Sequence, residues 1–349
     1  MQYSDDIRRV FGTRTGGAPL FSFWSHFPDD DHDADRLAAA TIDFQHRFDM
    51  AFVKTAPNGM FAVEDLGVEI DTSAVSEGGV AKLSKTPYVA ADAWARLPEP
   101  DPTRGALARE LRALRLVRAA LPEVPILFTL FSPMTLASKL SRGRVHDQIA
   151  ARAGTQTLHE ALGRLARGTA DLARAAIEAG ASGVFFAHQD TGRHLLSYDD
   201  FSEFVAPYDI EALLGAQAGG FNLLHVHGER IRFRELSDYP VHALNWHDNE
   251  TLPSALAGRF STGKCIVGGI DRWAFTRNDL PALRRQALRV LSGAKGFGDV
   301  ILAPSCAIRA GFSDDTLTAF CQFLRGLTSA EAIAAAVAAA NDPVPEAAA

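Results

Sequence analysis

Eight short apolar runs recur along this chain, each separated from the next by a longer segment. The runs lie at residues 20–24, 50–53, 126–130, 183–187, 221–226, 242–246, 265–268 and 300–303. Runs that are apolar almost throughout are typical of parallel strands buried on both faces, and alternation with helical patterns is typical of βα units. Eight such units predict an α/β fold, namely a (β/α)8 barrel of the TIM type.

The intervening segments define the expected domain organisation. Residues 158–179 have apolar side chains at helical spacing and stop before Gly180, and residues 280–291 stop near Gly293 in the same way. Residues 72–104 show no such period, so we expect a long insertion after the second strand, of the kind that can form a lid. We therefore expect three parts. They are an N-terminal segment (1–18), a single barrel domain (19–327) and an Ala-rich C-terminal helix with its tail (328–349).

The composition argues against several kinds of partner. A net charge of -7 over 349 residues disfavours nucleic acid, whose binding depends on clustered positive charge. Three cysteines do not suggest a disulfide framework, which indicates a reducing cytoplasm. No apolar run approaches the roughly 18 residues of a membrane helix, and the first six residues lack the features of an export signal. We expect a cytoplasmic protein with no membrane partner and a small-molecule substrate.

Two histidines and one cysteine stand where strand-end chemistry is expected. His225 and His227 end the fifth run with one residue between them, so a strand points both side chains the same way. Cys306 follows the eighth run. Two imidazoles and a thiolate suit zinc, and three protein ligands leave a coordination position free, as in catalytic sites. Such a histidine pair is more often simply hydrogen-bonded, so the residues alone leave both interpretations open.

Polar residues follow the other runs as well, and in a barrel these positions gather at the active site. We take Asp248, Asp271 and His247 as catalytic candidates, because a carboxylate can orient a ligating imidazole or transfer a proton. Either aspartate can equally cap a helix. Lys54 suits a substrate carboxylate or sulfonate, and also suits an exposed surface. The candidates for substrate binding are His26, Lys54, Asn58, His188, Gln189 and Asn245.

The strand ends resemble those of the uroporphyrinogen decarboxylase superfamily. Its members include corrinoid-dependent methyltransferases, which move a methyl group from methylcobalamin to a thiol. The resemblance extends from about residue 20 to residue 327. It rests on residues 52–57, 132–137, 180–184, 244–248, 268–271 and 303–306. It implies the same barrel fold and an enzymatic function.

The resemblance is nearer to the methyltransferase branch. The decarboxylase branch has an arginine-rich first strand and an essential aspartate after the second strand, and residues 21–26 and 54–58 contain neither. A polycarboxylate substrate needs dense guanidinium recognition, so their loss argues against porphyrinogen decarboxylation. The methyltransferase branch binds zinc through His-x-Cys-Gly and a later cysteine. This chain has His225, His227 and Gly228 in that pattern, followed by Cys306.

A histidine in place of the first cysteine removes one negative ligand, which makes a bound zinc ion a stronger Lewis acid. The resemblance therefore implies Zn2+ on His225, His227 and Cys306, with an acceptor thiol that differs from the family's usual ones. The methyl donor would be methylcobalamin or a separate corrinoid protein, since the Asp-x-His-x-x-Gly pattern of cobalamin-binding domains is missing from the sequence. Decarboxylases of the family are often dimers, so the resemblance also implies a homodimer.

Two other functions remain open at this point. The metal would equally serve a decarboxylase or hydrolase that acts on a small acid, because two imidazoles and one thiolate suit such chemistry too. The remaining alternative is a barrel without catalytic activity that binds a ligand or a corrinoid protein.

Overall fold

The computed structural model describes residues 18–75, 80–294 and 300–341, and within these ranges it contains nine strands. The strands are β1 Val53–Lys54, β2 Glu69–Asp71, β3 Lys82–Lys85, β4 Ile126–Phe131, β5 Gly183–His188, β6 Leu223–Val226, β7 Ala243–Trp246, β8 Cys265–Ile270 and β9 Val300–Pro304. Seven of them form one parallel sheet in the order β1-β4-β5-β6-β7-β8-β9, and β2 pairs with β3 in an antiparallel hairpin.

Most of the described helices lie between consecutive strands of the parallel sheet, as in other α/β folds, while one precedes the first strand and two follow the last. They are α1 Ala34–Phe48, α2 Gly105–Ala120, α3 Pro133–Ser141, α4 Arg144–Ala150, α5 Thr155–Glu178, α6 Tyr198–Phe204, α7 Ala206–Leu214, α8 Phe233–Ser237, α9 Ala255–Thr262, α10 Arg272–Thr276, α11 Leu280–Ala294, α12 Asp314–Gly326 and α13 Ala330–Asn341. Among the described residues, none of these helices is long and apolar enough to cross a membrane.

The first predicted strand, at residues 20–24, is the exception to the strand predictions. Phe21 pairs with Leu302 and Ser25 with Ile308, but each is an isolated bridge. On the side of β1, the Ser22 hydroxyl donates to the carbonyl of Phe52. In a regular strand, a backbone N–H would make this hydrogen bond. The eighth regular strand is therefore not confirmed in this segment, and the structure shows an α/β fold with a seven-stranded parallel sheet.

The helix predictions hold with shifted ends. Gly180, predicted to stop a helix, follows α5 with a φ of 103°, a left-handed conformation that glycine adopts readily. The second stop was predicted near Gly293, and α11 continues through this glycine to Ala294, the last described residue of the segment. A Cβ at Gly293 would lie 2.4 Å from Leu256 Cδ1, so this glycine allows close packing against α9 and does not end the helix.

The predicted insertion, residues 72–104, has a structure of its own. Its first part belongs to the β2–β3 hairpin, and its second part contains a 3-10 helix at Ala91–Arg96. Trp94 in that helix is fully buried, stacks on Tyr88 and donates from Nε1 to Gln148 Oε1 at 2.7 Å. Trp94 therefore anchors this second part to the core, and a lid remains a prediction for the hairpin.

The register of the sheet decides which side chains share a face. His225 of β6 pairs with Asn245 of β7, and the next pair along the strands is Val226 with Trp246. Paired residues of parallel strands point to the same side, and successive residues alternate. His188 of β5 pairs with Val226, so it points away from the face that His225 and Asn245 share.

Candidate metal centre

Three side chains from the ends of three strands meet on one side of the sheet. His225 lies in β6, His247 follows β7 and Cys306 follows β9. One potential ligand atom of each lies within 4.8 Å of those of the other two. The histidines are buried, with exposures of 4% and 3%, and Cys306 is half-buried. We call this set the donor cluster.

The donor cluster fits a zinc ion in its spacing and its chemistry. Cys306 Sγ lies 3.8 Å from His225 Nε2. Zinc–sulfur bonds of about 2.3 Å and zinc–nitrogen bonds of about 2.0 Å, at a tetrahedral angle, place two such atoms about 3.5 Å apart. His247 Nε2 is buried and has no hydrogen-bond partner among the described residues. A buried polar atom without a partner is costly, and a bound metal ion would supply that partner.

His225 is fixed by its neighbours on adjacent strands. Asn245 Oδ1 lies 2.5 Å from His225 Nδ1, and the ring of Phe185 stacks on the imidazole at a centroid distance of 5.2 Å. Burial holds the pKa of His225 well below its ordinary value, and the nearby His227 and His247 lower it further. The imidazole is therefore neutral near pH 7, which is the form that binds metal ions.

His247 lies beside an ion pair formed by Glu250 and the buried Arg272. Its Nδ1 is 3.8 Å from Glu250 Oε2, and Arg272 holds the Glu250 carboxylate with two contacts of 2.9 and 3.0 Å. Burial lowers the pKa of His247 to about 3, with further contributions from His227 and Arg272. A carboxylate near the second nitrogen of an imidazole is a common arrangement around ligating histidines.

His227, the second predicted histidine ligand, lies next to the donor cluster. Its ring centroid is 4.6 Å from that of His247 and 6.0 Å from that of His225. Its backbone N–H donates to the carbonyl oxygen of His188 at 2.9 Å. The structure thus brings His225 and Cys306 together, and it adds His247, which the sequence indicated as a catalytic residue. His227 remains a predicted ligand.

Cations surround the thiol of Cys306. Burial raises the pKa of Cys306, while the positive charges of Arg272 and Lys54 act in the opposite direction. Without another cation the thiol therefore keeps its proton near neutral pH. A metal ion at the donor cluster would add the positive charge that stabilises the thiolate.

Lys54 and His26 belong to the same region. Lys54 Nζ donates to the carbonyl of Thr55 and lies 4.8 Å from the centroid of Phe185, the ring that stacks on His225. Burial lowers the pKa of Lys54 to about 8, against the effect of Cys306. The pKa of His26 is also lowered, to about 4, mainly by burial and then by the positive charges of Lys54 and Lys139. His26 is nevertheless partly exposed to solvent.

The two aspartate candidates have different surroundings. Asp271 caps α10, because its Oδ1 accepts from the backbone N–H of Trp273 at 2.9 Å, and its Oδ2 contacts Arg277 at 3.2 Å. Asp248 is buried next to Gly268, and burial raises its pKa to about 7 against a hydrogen bond from the N–H of Gly269. Asp248 therefore exchanges a proton near neutral pH, and Asp271 serves as a helix cap.

Three predicted substrate-binding residues are engaged within the protein. His188 is fully buried, with Nε2 2.7 Å from Asp209 Oδ2 and Nδ1 2.9 Å from Thr191 Oγ1. Asn58 is buried and donates to Glu64 Oε1 at 2.9 Å. Gln189 is half-buried, and its backbone N–H donates to Thr135 Oγ1 at 2.8 Å. Neither His188 nor Asn58 has a free side-chain atom facing the donor cluster in this arrangement.

Three charged residues near the site were not predicted from the sequence, namely Arg272, Glu250 and Lys139. Arg272 directly follows Asp271 at a strand end, and this position was the available signal. Glu250 lies three residues after His247 in a loop, and Lys139 lies within α3, so neither stands directly after a strand. The proximity of Lys139 to His26 and of Arg272 to His247 is a tertiary effect, and it appears in the pKa of each histidine.

The chain belongs to the family described as Uroporphyrinogen decarboxylase (URO-D), because residues 23–327 match the model of that family. The resemblance that the strand ends indicated is thereby confirmed. The search of curated proteins gave no match.

Two solved structures show the same fold. A methyltransferase from Methanosarcina mazei is 19% identical, with a TM-score of 0.75 over 91% of this chain and 96% of that chain. A B12-independent methionine synthase from Shewanella sp. W3-18-1, in complex with selenomethionine, is 12% identical, with a TM-score of 0.51 over 88% of this chain and 89% of that chain. At these identities the likeness concerns the fold alone.

Proposed function

We propose that this protein is a zinc-dependent methyltransferase that transfers a methyl group from a corrinoid donor to a small thiol. One observation carries the proposal. Two imidazole nitrogens and one sulfur lie within 4.8 Å of each other, and His247 Nε2 has no other partner among the described residues. Membership of the family and the fold shared with a methyltransferase support it.

His225, His247 and Cys306 would hold the metal, and His227 is the neighbour best placed to join them. When bound, zinc supplies a Lewis acid with a free position, where a thiol loses its proton more easily. Burial keeps both imidazoles of the donor cluster neutral and so ready to ligate. Asp248, with a pKa of about 7, is our candidate for accepting the proton, and Lys54 and His26 for holding the far end of the acceptor.

The finer points of architecture and context are proposals as well. Backbone bonds from Ala51 to Phe21 and from Ser22 to Leu302 support a closed eight-stranded barrel, in which residues 20–25 fill the place between β9 and β1. The methyl donor would be carried by a separate corrinoid protein in the cytoplasm. A homodimer is proposed on the family resemblance.

A second candidate function is metal-assisted decarboxylation or hydrolysis of a small acid. The observation that favours it is the group of cations near the donor cluster. Lys54 and Arg272 act on the thiol of Cys306, and Lys54 and Lys139 act on the imidazole of His26. Such a concentration of positive charge attracts an anionic substrate whichever reaction follows.

Metal analysis tests the site itself. The purified protein should contain one zinc ion per chain, and the variants His247→Ala and Cys306→Ala should each bind zinc more weakly by more than about 100-fold, since ligands matter more than their supporting neighbours. Asp271→Asn, which keeps a good helix cap, is the matched control and should retain zinc. Full zinc content in a protein that lacks both His247 and Cys306 would exclude this site. The variant His227→Ala decides whether His227 is a fourth ligand.

Turnover separates the two candidate reactions. Incubation with methylcobalamin and a panel of small thiols should demethylate the corrinoid, which its absorption spectrum reports. Release of carbon dioxide or of a hydrolysis product from small acids, with methylcobalamin unchanged, would favour the second candidate. The Cys306→Ala variant is the control in both assays, because each reaction depends on the same metal.

A further inference from the structure

We infer that Asn245 is a positioning residue that fixes the tautomer of His225 and leaves Nε2 unprotonated toward the donor cluster. This inference rests on the proposed function, because it concerns how the chain prepares a metal ligand. A neutral imidazole carries one hydrogen, either on Nδ1 or on Nε2. Only the nitrogen without the hydrogen can bind a metal ion, so the choice of tautomer decides whether His225 can ligate.

The orientation of the Asn245 amide follows from its surroundings. Asn245 is fully buried, and its Nδ2 lies 2.6 Å from the carbonyl oxygen of Val267 and 3.2 Å from that of Pro304. Carbonyl oxygens only accept, so the amide nitrogen must face them and Oδ1 must face the other way. The adjacent strands β8 and β9 therefore determine which end of the amide meets His225.

The amide oxygen in turn determines where the imidazole carries its hydrogen. Asn245 Oδ1 lies 2.5 Å from His225 Nδ1, and an amide oxygen can only accept. Nδ1 must therefore be the donor, which leaves Nε2 with a free electron pair. Nε2 is the atom 3.8 Å from Cys306 Sγ. Two backbone carbonyls, one amide and one imidazole thus form a chain that ends at the donor cluster.

A purely structural role for Asn245 is the competing explanation, and the protein contains a matched residue for that role. Asn222 is also buried and also joins neighbouring segments, because its Oδ1 accepts from the N–H of Val184 at 3.1 Å and its Nδ2 donates to the carbonyl of Ala216 at 2.8 Å. It precedes β6, at the opposite end of the strand from His225, and bonds to no member of the donor cluster. A loss that is specific to Asn245 therefore reports the tautomer.

The first measurement is 15N NMR of the histidine rings in the metal-free protein, with the His225 signals assigned through His225→Gln. We expect the wild-type protein to carry the hydrogen of His225 on Nδ1. A hydrogen on Nε2 would overturn the inference, even if every Asn245 variant failed to fold. This result does not depend on zinc, so it stands apart from the proposed function, which fails if the protein binds no zinc.

The second measurement is zinc affinity by chelator competition. Asn245→Leu removes the acceptor at similar volume and should weaken zinc binding by about 10- to 100-fold, the usual effect of losing such a partner. Asn245→Asp keeps the acceptor but loses the bonds to Val267 and Pro304, so its zinc affinity should stay near that of wild type although its stability falls. Asn222→Leu should lose stability and keep zinc affinity. Equal zinc affinity in Asn245→Leu and wild type would overturn the inference.

Discussion

His188 and His225 end neighbouring strands and are about equally buried, but their ring nitrogens have very different partners. Both nitrogens of His188 have a partner, namely Asp209 and Thr191, and the hydroxyl of Tyr239 donates to the same Asp209 oxygen at 2.8 Å. We call these four residues the paired network. In the donor cluster, His225 Nε2 faces a sulfur atom 3.8 Å away, and His247 Nε2 has no partner within the described ranges.

The difference teaches that burial alone does not distinguish a structural histidine from a candidate ligand. Burial of a polar atom is costly unless a partner replaces water. In the paired network, hydrogen bonds meet this cost at both nitrogens of His188 and at Asp209 Oδ2, whereas Asp209 Oδ1 has no partner among the described residues. In the donor cluster, the Cys306 thiol lies within hydrogen-bonding distance of His225 Nε2, but His247 Nε2 has no partner among the described residues, so a metal ion bound there would stabilise the protein.

The largest effect that we expect is a fall in the free energy of unfolding when the hydrogen bonds of the paired network are removed. Asp209→Ala leaves His188 and Tyr239 without their shared acceptor, so we expect the free energy of unfolding to fall by about 3 to 5 kcal/mol, as when other buried pairs are broken. Urea denaturation measures the fall. Zinc affinity of the folded variant should stay near that of wild type.

The matched control is Asp147→Ala. Asp147 pairs with Arg144 at the surface, where the side chain of Asp147 is 71% exposed and that of Arg144 is 64% exposed. The stability of this variant should change by less than about 1 kcal/mol. If Asp209→Ala loses zinc and keeps its stability, the paired network belongs to the metal site and the comparison fails.

A cluster of carboxylates around Arg109 offers a second test of the comparison, because one of its glutamates is well paired and another is poorly paired. Arg109 holds Glu64 with two bonds of 2.9 and 3.0 Å and also contacts Glu110 at 2.9 Å, with Asp31 close by. Burial raises the pKa of Glu110 to about 7, although Arg109 opposes it. Burial also acts on Glu64, but there the bonds to Arg109 prevail and its pKa is lowered.

Replacing each of the two glutamates by glutamine should therefore change the stability of the protein in opposite directions. Folded Glu110 keeps its proton up to about pH 7, whereas in the unfolded chain Glu110 releases its proton near its ordinary pKa of 4.5. The folded state therefore binds the proton more tightly, and the stability that this binding provides is lost as the pH rises from 4.5 to 7. Relative to wild type, Glu110→Gln should gain about 2 to 3 kcal/mol between pH 4.5 and pH 8. Urea unfolding at several pH values measures the trend.

Glu64→Gln is the matched variant with the lowered pKa. The contribution of Glu64 is present above pH 4.5 and is lost as the pH falls through its folded pKa. Glu64→Gln should therefore be less stable than wild type at neutral pH, and the deficit should shrink in acid. The same pH trend in both variants would contradict the different pairing of the two groups.

The smallest effect concerns Asp271, which was predicted as catalytic and which the structure places at a helix cap. Asp271→Ala should lower the free energy of unfolding by about 1 kcal/mol, and Asp271→Asn should restore it, because asparagine is also a good cap. Thermal denaturation measures both. A variant that keeps full stability and zinc but loses turnover would return Asp271 to the catalytic residues.

The fold was largely predictable from local pattern. Seven of the eight apolar runs contain or overlap strands of the parallel sheet, because strands buried on both faces need apolar side chains at almost every position. Residues 20–24 have the same pattern and form only isolated bridges, since their bonds to β1 pass partly through the Ser22 side chain. The pattern reports burial, and it does not report which atoms make the hydrogen bonds.

The site was predictable in part. The spacing at the strand ends correctly brought His225 and Cys306 together, at 3.8 Å, from positions far apart in the chain. The same spacing did not show that His247, and not His227, is the third residue of the donor cluster. His247 lies in a loop after a strand, and the sequence pattern does not determine the path of that loop. It also grouped His188 with the substrate-binding residues, although the structure engages both its nitrogens.

The sequence by itself determined the parallel α/β architecture, the family, and the presence of imidazole and thiol groups at strand ends. Those properties follow from residue type and period, which are local. Only the tertiary structure decided that the Asn245 amide turns its oxygen toward His225, that Asp209 pairs with His188, and that His247 keeps a nitrogen without a partner among the described residues. Partner choice depends on register and on atoms from distant segments, so it becomes defined only when the strands lie side by side.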